Sequence, residues 1–286
     1  MTRPDPNPVV GIVTALSPLV CRLVAPNPGP MTGPGTNSYV VGDLMEGPVL
    51  VIDPGPDDPD HLDRLSSVVG LELGAIALTH THLDHWPGAP GLRNRTGAPV
   101  VAFDSRDGLV VQRKLGDGDL VAGGDGWTVT AVHTPGHASN HLCYRLEPDG
   151  WIFSGDHVMD GSTVVIRPPD GDLDVYLDQL RRIAGLYPVV IAPGHGNLIR
   201  DPIDRIASVI EHRELRTLHI LGLLAGRGPS AAGELRPLAY EGLDQRLEAV
   251  AEAMTWATLR SLHSAGAVLV DDPDDPDGSY EAVASS

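Results

Sequence analysis

One short stretch of the chain carries an unusual density of side chains that can bind metal ions. The sequence THTHLDH at 79–85 holds three imidazoles and one carboxylate, and it directly follows the apolar run at 75–78. Zinc, iron and manganese accept imidazole and carboxylate ligands together. Because an irregular loop can turn several neighbouring side chains towards one point, the stretch predicts a metal site.

Three further segments place a histidine or an aspartate just after an apolar, strand-like run. His137 follows a Pro-Gly turn, Asp156 follows Ser-Gly, and His195 follows another Pro-Gly turn. The three runs that precede them cover 127–131, 151–154 and 188–191. A single His-x-His pair is weak evidence in a chain with twelve histidines. The same placement four times is stronger, since ligands bind where the strands of a sheet end.

The elements that must position these side chains are mostly strands. Apolar runs predict strands at 39–41, 49–52, 75–79, 99–103, 127–132, 141–146, 151–154 and 188–191. Helices with one apolar face are predicted at 59–69 and 172–184. Periodicity alone therefore indicates an α/β or α+β protein.

The ordered motifs HTHLDH, TPGH, SGDH and PGHG resemble the signature of the metallo-β-lactamase superfamily. The segments GTNSYVVG at 35–42 and VLVIDPG at 49–55 look like the opening strands of that fold. The part from Gly155 to EHRELR at 211–216 is similar to the β-lactamase-like endoribonucleases and their bacterial metallo-hydrolase relatives. The resemblance implies an α+β fold, an αββα sandwich followed by a small winged-helix-like domain.

The resemblance also assigns the ligands of two metal ions. It gives three histidines to the first ion, an aspartate and two histidines to the second, and one bridging aspartate to both. These residues are His80, His82 and His137, then Asp84, His85 and His195, and finally Asp156. Two zinc ions per chain are expected, with iron or manganese as alternatives, and Asp84 is also expected to be catalytic. Such a pair of ions lowers the pKa of a shared water, so that hydroxide attacks an electrophilic carbon or phosphorus.

Four residues near these motifs are weaker candidates. Asp53 resembles a carboxylate that orients a ligand histidine, although it could simply begin the turn at Pro54-Gly55. Asn140 and His141 could line a substrate mouth, whereas packing is the ordinary role of such neighbours. Arg167 could meet an anionic group of a substrate, and a solvated loop arginine is the alternative.

After residue 202 the pattern changes to helices. Amphipathic spacing predicts helices at 203–225, 231–239 and 243–264, followed by a strand at 267–270. This is the order of a winged helix, which closes the chain in the resembled subfamily. We therefore expect a catalytic metallo-β-lactamase-like domain at 1–202 and a winged-helix-like domain at 203–286. The acidic segment 271–278 would be the wing tip, or else a solvated loop.

The charge of the chain argues against nucleic-acid partners. The whole sequence has 20 basic and 38 acidic residues, a net charge of −18. The part at 203–286 has seven arginines, no lysine and fourteen acidic residues, a net charge of −7. Phosphate backbones are bound by cationic surfaces. The C-terminal module is therefore expected to serve as a lid, a channel wall or a dimerisation surface.

Length and composition fit a globular protein. The chain has 286 residues, 42% of them hydrophobic and only two of them cysteine. No apolar run is long enough for a membrane helix, and the polar, proline-rich start is unlike a secretory signal. A cytoplasmic location is the simplest expectation.

Three classes of function remain open from the sequence. The favoured one is a metal-dependent hydrolase of a small, possibly anionic ester or thioester. The second is a single-strand endoribonuclease, which the subfamily resemblance supports and the charge opposes. The third class is a winged-helix binding protein whose metal site is structural. Beside these classes, a persulfide dioxygenase with a single iron is a further alternative, because it uses the same histidine-rich string.

Overall fold

A computed structural model describes residues 7–45, 47–70 and 73–283. Contacts between Cα atoms divide the chain into two compact units. The first contains the residues up to Thr134 together with Asn140–Ser162 and Leu186–Ile203. The second contains Pro135–Ser139, Thr163–Gly185 and the residues from Asp204 onwards. The ranges 1–202 and 203–286 expected for the folding domains stay a prediction.

The first sheet of the first unit has seven strands that lie side by side in chain order. They are β1 (Val13–Ser17), β2 (Val20–Val24), β3 (Asn37–Val41), β4 (Val49–Ile52), β5 (Leu73–Ala77), β6 (Val100–Ala102) and β7 (Arg113–Lys114). Strands β1 to β4 pair antiparallel, and β4 to β7 pair parallel. Helix α1 (Pro59–Val69) joins β4 to β5, and α2 (Gly88–Thr96) joins β5 to β6.

The second sheet of this unit has five strands in the order β12, β11, β10, β9, β8. They are β8 (Leu120–Gly124), β9 (Trp127–His133), β10 (Leu142–Glu147), β11 (Trp151–Gly155) and β12 (Val190–Pro193). Pairing is antiparallel except between β11 and β12, which are parallel. The parallel ends of β11 and β12 bring the Asp156 and His195 segments to one edge.

The main core lies between the two sheets. Leu50 and Ile52 of the first sheet belong to the same buried cluster as Val129, Tyr144 and Phe153 of the second. The other face of the first sheet is covered by α1 and α2 through a second buried cluster. Alternation along each strand thus gives both faces of the first sheet an apolar layer. The α+β class is confirmed.

Local features of the sequence explain why helix α1 forms. The Asp58 side chain accepts a hydrogen bond from the backbone N–H of His61 at 2.8 Å, and Pro59 occupies the first turn. Leu62, Leu65 and Val69 are buried on one face. The predicted bounds of this helix, 59–69, are those of the structure.

The eight predicted strands are present with small shifts at their ends. Strand β5 ends at Ala77, two residues before its predicted end. The N–H of Thr79 donates to the Asp53 carboxylate instead of continuing the ladder. Sequence patterns missed five of the strands in the described residues, namely β1, β2, β7, β8 and a short strand at Glu281–Ala282.

Helix α2 was also missed, because its sequence contains two glycines and a proline, which are poor helix formers. Both glycines allow close packing in the structure. A Cβ atom at Gly88 would lie 2.8 Å from the backbone oxygen of Pro56, and one at Gly91 would lie 2.6 Å from a methyl group of Leu62. Tertiary contact with α1 therefore outweighs local propensity.

Among the described residues, the second unit contains four α-helices and a short two-stranded ribbon. They are α3 (Leu173–Gly185), α4 (Pro202–Arg227), α5 (Ala232–Ala239), α6 (Glu248–Ser264), β13 (Val268–Leu269) and β14 (Glu281–Ala282). Strands β13 and β14 pair antiparallel, and the acidic segment 271–278 lies between them. The predicted order of three helices and a strand after residue 202 is confirmed, whereas the identity of a winged helix stays a prediction.

The long helix predicted at 243–264 begins five residues later than expected. A 3-10 turn at Gln245–Leu247 precedes α6, and the Asp244 side chain accepts from the N–H of Arg246 at 2.9 Å. This local side-chain bond competes with α-helical pairing.

The helices among the described residues include none that has both the length and the apolar character needed to span a bilayer.

His61 is a buried imidazole with a simple environment. Its side chain is 2% exposed, and its Nε2 lies 3.0 Å from the Ser38 hydroxyl. Burial lowers the pKa of His61 from 6.5 to about 4, because the charged form loses its hydration. The folded protein therefore holds this imidazole neutral at pH 5.

Replacing His61 with glutamine should reduce the acid sensitivity of the protein. The unfolded chain binds more protons than the folded chain between pH 6.5 and about 4, so stability falls as the pH drops through this window. This group alone contributes a loss of about 2 kcal/mol between pH 7 and pH 5. Urea unfolding of both proteins at these two pH values measures the difference. An equal loss in the wild type and in His61→Gln would contradict the prediction.

Candidate metal centre

The loop that follows β5 presents His80 and His82. Leu78 still pairs with β6, since its N–H donates to the backbone oxygen of Val101 at 3.0 Å, and the chain then leaves the sheet. Nε2 of His80 lies 3.0 Å from Nδ1 of His82. Nδ1 of His80 lies 3.0 Å from the Thr79 hydroxyl, so the ring is held from behind. Two imidazole nitrogens that lie this close together can share one ion.

Asp156 joins this pair. One ligand atom each from His80, His82 and Asp156 lies within 4.8 Å of the others. His137 belongs to the second unit, where its Nδ1 lies 2.6 Å from the backbone oxygen of Val165. A carbonyl only accepts, so Nδ1 carries the proton and Nε2 is the nitrogen available to a metal.

A second group of donors consists of Asp84, His85, Asp156 and His195, whose ligand atoms also lie within 4.8 Å of one another. Nε2 of His195 is 3.1 Å from Asp84 Oδ2 and 3.4 Å from Asp156 Oδ1. Nε2 of His85 is 3.5 Å from Asp84 Oδ2 and 3.4 Å from Asp156 Oδ1. Asp156 thus belongs to both groups.

Asp53 holds the ring of His85. Its Oδ2 lies 2.8 Å from Nδ1 of His85 and accepts from the Thr79 hydroxyl at 2.7 Å, while Oδ1 accepts from the Thr79 N–H at 2.8 Å. The backbone of Asp53 has a φ of 50°, in the left-handed region that aspartate tolerates better than most residues. A carboxylate on one ring nitrogen directs the other towards a metal.

The loop that carries His195 is held by Asn37, which sequence reasoning did not select. The Asn37 amide donates to the backbone oxygens of Pro193 at 2.9 Å and Gly196 at 3.0 Å. Its N–H also donates to the backbone oxygen of Gly194 at 2.7 Å. Two polar residues, Asn37 and Ser38, stand at the start of the buried strand β3, and this was the signal that could have pointed to such a role.

The charges of the second group act strongly on one another. Burial raises the pKa of Asp84, but the imidazoles of His85 and His195 outweigh it and lower this pKa to about 2. Burial lowers the pKa of His85, but the carboxylates of Asp156, Asp84 and Asp53 raise it well above its usual value. The surrounding carboxylates therefore require a positive charge, which either a proton on His85 or a bound cation can supply.

The arrangement of the donor atoms suits binding to a divalent ion better than hydrogen bonding among the side chains. Nε2 of His85 and Nε2 of His195 are buried and make no hydrogen bond, although carboxylate oxygens lie 3.1–3.5 Å away. Buried polar atoms in proteins normally have a partner. Imidazole and carboxylate donors that converge without hydrogen-bond geometry are typical of a metal site.

The other sequence candidates have structural contacts of their own. Asn140 is 3% exposed, and its amide donates to the Thr81 hydroxyl at 3.1 Å. His141 is buried, and its Nδ1 lies 2.9 Å from the Thr134 hydroxyl. Its ring centroid is 5.1 Å from that of His80, so it packs against a donor. Arg167 is exposed in the second unit.

The comparisons with known proteins agree with this geometry. The family model of the metallo-beta-lactamase superfamily matches residues 31–195. Lactamase-like protein aptB of Emericella nidulans is 30% identical over 81% of this chain and 75% of its own length. An atrochrysone carboxyl ACP thioesterase of Aspergillus terreus is 32% identical over 77% of this chain and 68% of its own length.

Among solved structures, a beta-lactamase domain protein from Burkholderia ambifaria has the same fold. It matches with a TM-score of 0.82 over 98% of this chain and 96% of that chain, at 22% sequence identity. The family model covers more than half of this chain and ends at His195, the last of the clustered histidines. The chain belongs to the metallo-beta-lactamase superfamily and is a hydrolase of that fold.

Proposed function

We propose that this protein binds two divalent metal ions, zinc by preference, and hydrolyses a small thioester or ester. The observation that carries the proposal is the membership of Asp156 in both groups of donor atoms. A carboxylate with two oxygens can bridge two ions, and imidazole-rich groups suit zinc. We assign His80, His82, His137 and Asp156 to the first ion, and Asp84, His85, His195 and Asp156 to the second.

Two divalent ions, when bound, supply a water of lowered pKa and a positive charge that stabilises the oxyanion developing at a carbonyl group. The protein supplies the positions of the donors and one partly exposed carboxylate. The Asp84 side chain is 27% exposed, against 0% for His85 and 3% for His195. Asp84 stays ionised at neutral pH and can act as an anionic ligand at this open side of the site.

Two observations favour a small acyl substrate over RNA. Relatives of this chain are named as thioesterases of a carrier-bound acyl group. The net charge of −18 opposes the binding of a phosphate chain, since nucleic-acid affinity comes largely from cationic surfaces. Two divalent ions add about four positive charges at one point, which suits one anionic group rather than a strand.

Gly194 is essential to the proposed geometry. A Cβ atom at this position would lie 2.8 Å from Asp156 Oδ1 and 2.8 Å from Cε1 of His85. Both neighbours are donors of the second group, and the His85 ring is held by Asp53 from the other side. Only glycine therefore leaves room for this carboxylate and this imidazole together.

Asp84→Asn and Asp156→Asn should differ in the number of ions that they lose. Asp84 belongs to one donor group and Asp156 to both, so Asp84→Asn should retain about one ion per chain while Asp156→Asn weakens the binding of both. Elemental analysis after dialysis measures the ions per chain. Asp160→Asn is a matched control, because this exposed carboxylate lies four residues after Asp156 and outside both groups.

Equal metal content in all three variants would contradict the ligand assignment. A single iron per wild-type chain would instead favour a dioxygenase-like enzyme.

Gly194→Ala should weaken metal binding without removing any donor. The added methyl group displaces Asp156 or His85, so we expect the affinity for the second ion to fall by roughly 10- to 100-fold, as with other perturbations of ligand orientation. Competition with a chromophoric chelator measures this affinity. Gly185→Ala, at a glycine with no heavy atom within 4 Å of its Cβ position and without a positive φ, tests whether an added methyl group alone has such an effect. Wild-type affinity in Gly194→Ala would show that the close approach does not matter.

A substrate panel should separate the proposed activity from ribonuclease activity. We expect hydrolysis of acyl thioesters by the wild type, with a rate at least about 100-fold lower in Asp84→Ala, because an ionised ligand of the reaction site is lost. Lactones, phosphodiesters and short single-stranded RNA complete the panel. Cleavage of RNA alone, lost in Asp84→Ala, would overturn the thioester proposal and the argument from charge.

A further inference from the structure

We infer that Arg213 of α4 is a positioning residue for His137, acting through the loop that fixes the histidine ring. The inference rests on the proposed role of His137 as a metal ligand. All of the contacts that carry it lie within the second unit. Arg213 lies in the motif EHRELR at 211–216, of which no residue belongs to the proposed metal ligands.

The ring of His137 is fixed by the segment at 163–166. Its Nδ1 donates to the backbone oxygen of Val165 at 2.6 Å, a contact that sets both the tautomer and the tilt of the ring. Val165 is held on both sides, because Val164 and Ile166 are buried. A shift of this backbone would therefore move the proton acceptor of His137.

Arg213 holds the same segment one residue earlier. Its Nη2 donates to the backbone oxygen of Val164. Its Nη1 lies 3.9 Å from the sulfur of Met254, and that sulfur also accepts from the N–H of Ile166 at 2.9 Å. The guanidinium and the thioether thus fix the two neighbours of Val165.

Arg213 also lies against the residue that packs under the His137 turn. Its guanidinium carbon is 6.0 Å from the ring centroid of Tyr176, within cation–π range. Gly136 precedes His137 with a φ of 126°, and a Cβ atom there would lie 2.4 Å from Cα of Tyr176. The backbone oxygen of Gly136 accepts from the N–H of Asp172 at 2.8 Å. The turn is consequently fixed from the side of α3 as well.

Stability is a poor explanation for this arginine. Its side chain is 4% exposed, and within the described part of the chain no carboxylate forms an ion pair with it. Burial of a charge without an opposite charge is costly, and an apolar residue of similar volume is often more stabilising at such a position. One buried donor, Nη2, instead bonds to the backbone oxygen of Val164, which directly precedes the acceptor of His137.

Arg213→Met tests the inference, because methionine keeps part of the volume and removes the donors. We expect the affinity for one of the two ions to fall by roughly 10- to 100-fold, the effect typical of losing a partner that orients a ligand, while the other ion binds as in the wild type. Chelator competition measures the two affinities. The visible spectrum of the cobalt-substituted protein should change for one ion only, which a general loss of stability would not produce.

Two further variants are controls, one for the charge at position 213 and one for the loss of an arginine elsewhere in α4. Arg213→Lys retains one donor and should recover at least part of the affinity. Arg227→Met removes an exposed arginine in the last turn of the same helix and should bind both ions as the wild type does. If Arg213→Met does not fold, the affinities of Arg213→Lys for the two ions test the inference instead.

His137→Ala separates failure of this inference from failure of the proposed function. If His137→Ala loses one ion while Arg213→Met and Arg213→Lys bind both with wild-type affinity, the role of Arg213 is wrong and the ligand assignment stands. If His137→Ala retains both ions at wild-type affinity, the ligand assignment is wrong and the inference falls with it. If the affinities for both ions fall by the same factor in Arg213→Met, the cause is general unfolding, and the positioning role is overturned.

Discussion

The convergence of carboxylates and imidazoles on one buried space is the constraint on which the site depends. Asp84 and Asp156 both approach Nε2 of His195, at 3.1 and 3.4 Å. Like charges this close repel each other, and burial weakens the screening by water. The arrangement is stable only with positive charge in its midst. A divalent cation meets that requirement and also satisfies the imidazole nitrogens that make no hydrogen bond.

The fold holds the donors of this site in a rigid frame. Asp53 fixes His85, Asn37 fixes the loop of His195, and glycine at position 194 leaves the space that a side chain would fill. Each of these contacts starts from a strand of the first unit or from its immediate end. Since the strands are buried between apolar layers, their ends hold the donors in place more firmly than free loops could.

Charge links the site to the choice of substrate. The chain carries a net charge of −18, and the proposed ions would concentrate positive charge at one point. Such a distribution attracts a single anionic or polarised group and repels an extended polyanion. Under the proposed function, the partly exposed Asp84 side chain, in contrast to the buried histidines of its group, marks the side from which a substrate would approach.

The sequence by itself indicated the candidate donors and their order along the chain through its resemblance to a known family, and local periodicity predicted most of the strands that precede them. It also determined α1, whose cap and apolar face are local. Only the tertiary structure reveals the contacts of Asn37 and Arg213, since their partners lie far away in the chain and depend on how strands and helices pack. Helix α2 belongs to the same class, because packing against α1 overrides its unfavourable glycines. Residues that bind an ion have a characteristic chemistry, whereas residues that hold them in position are recognisable only by what they touch.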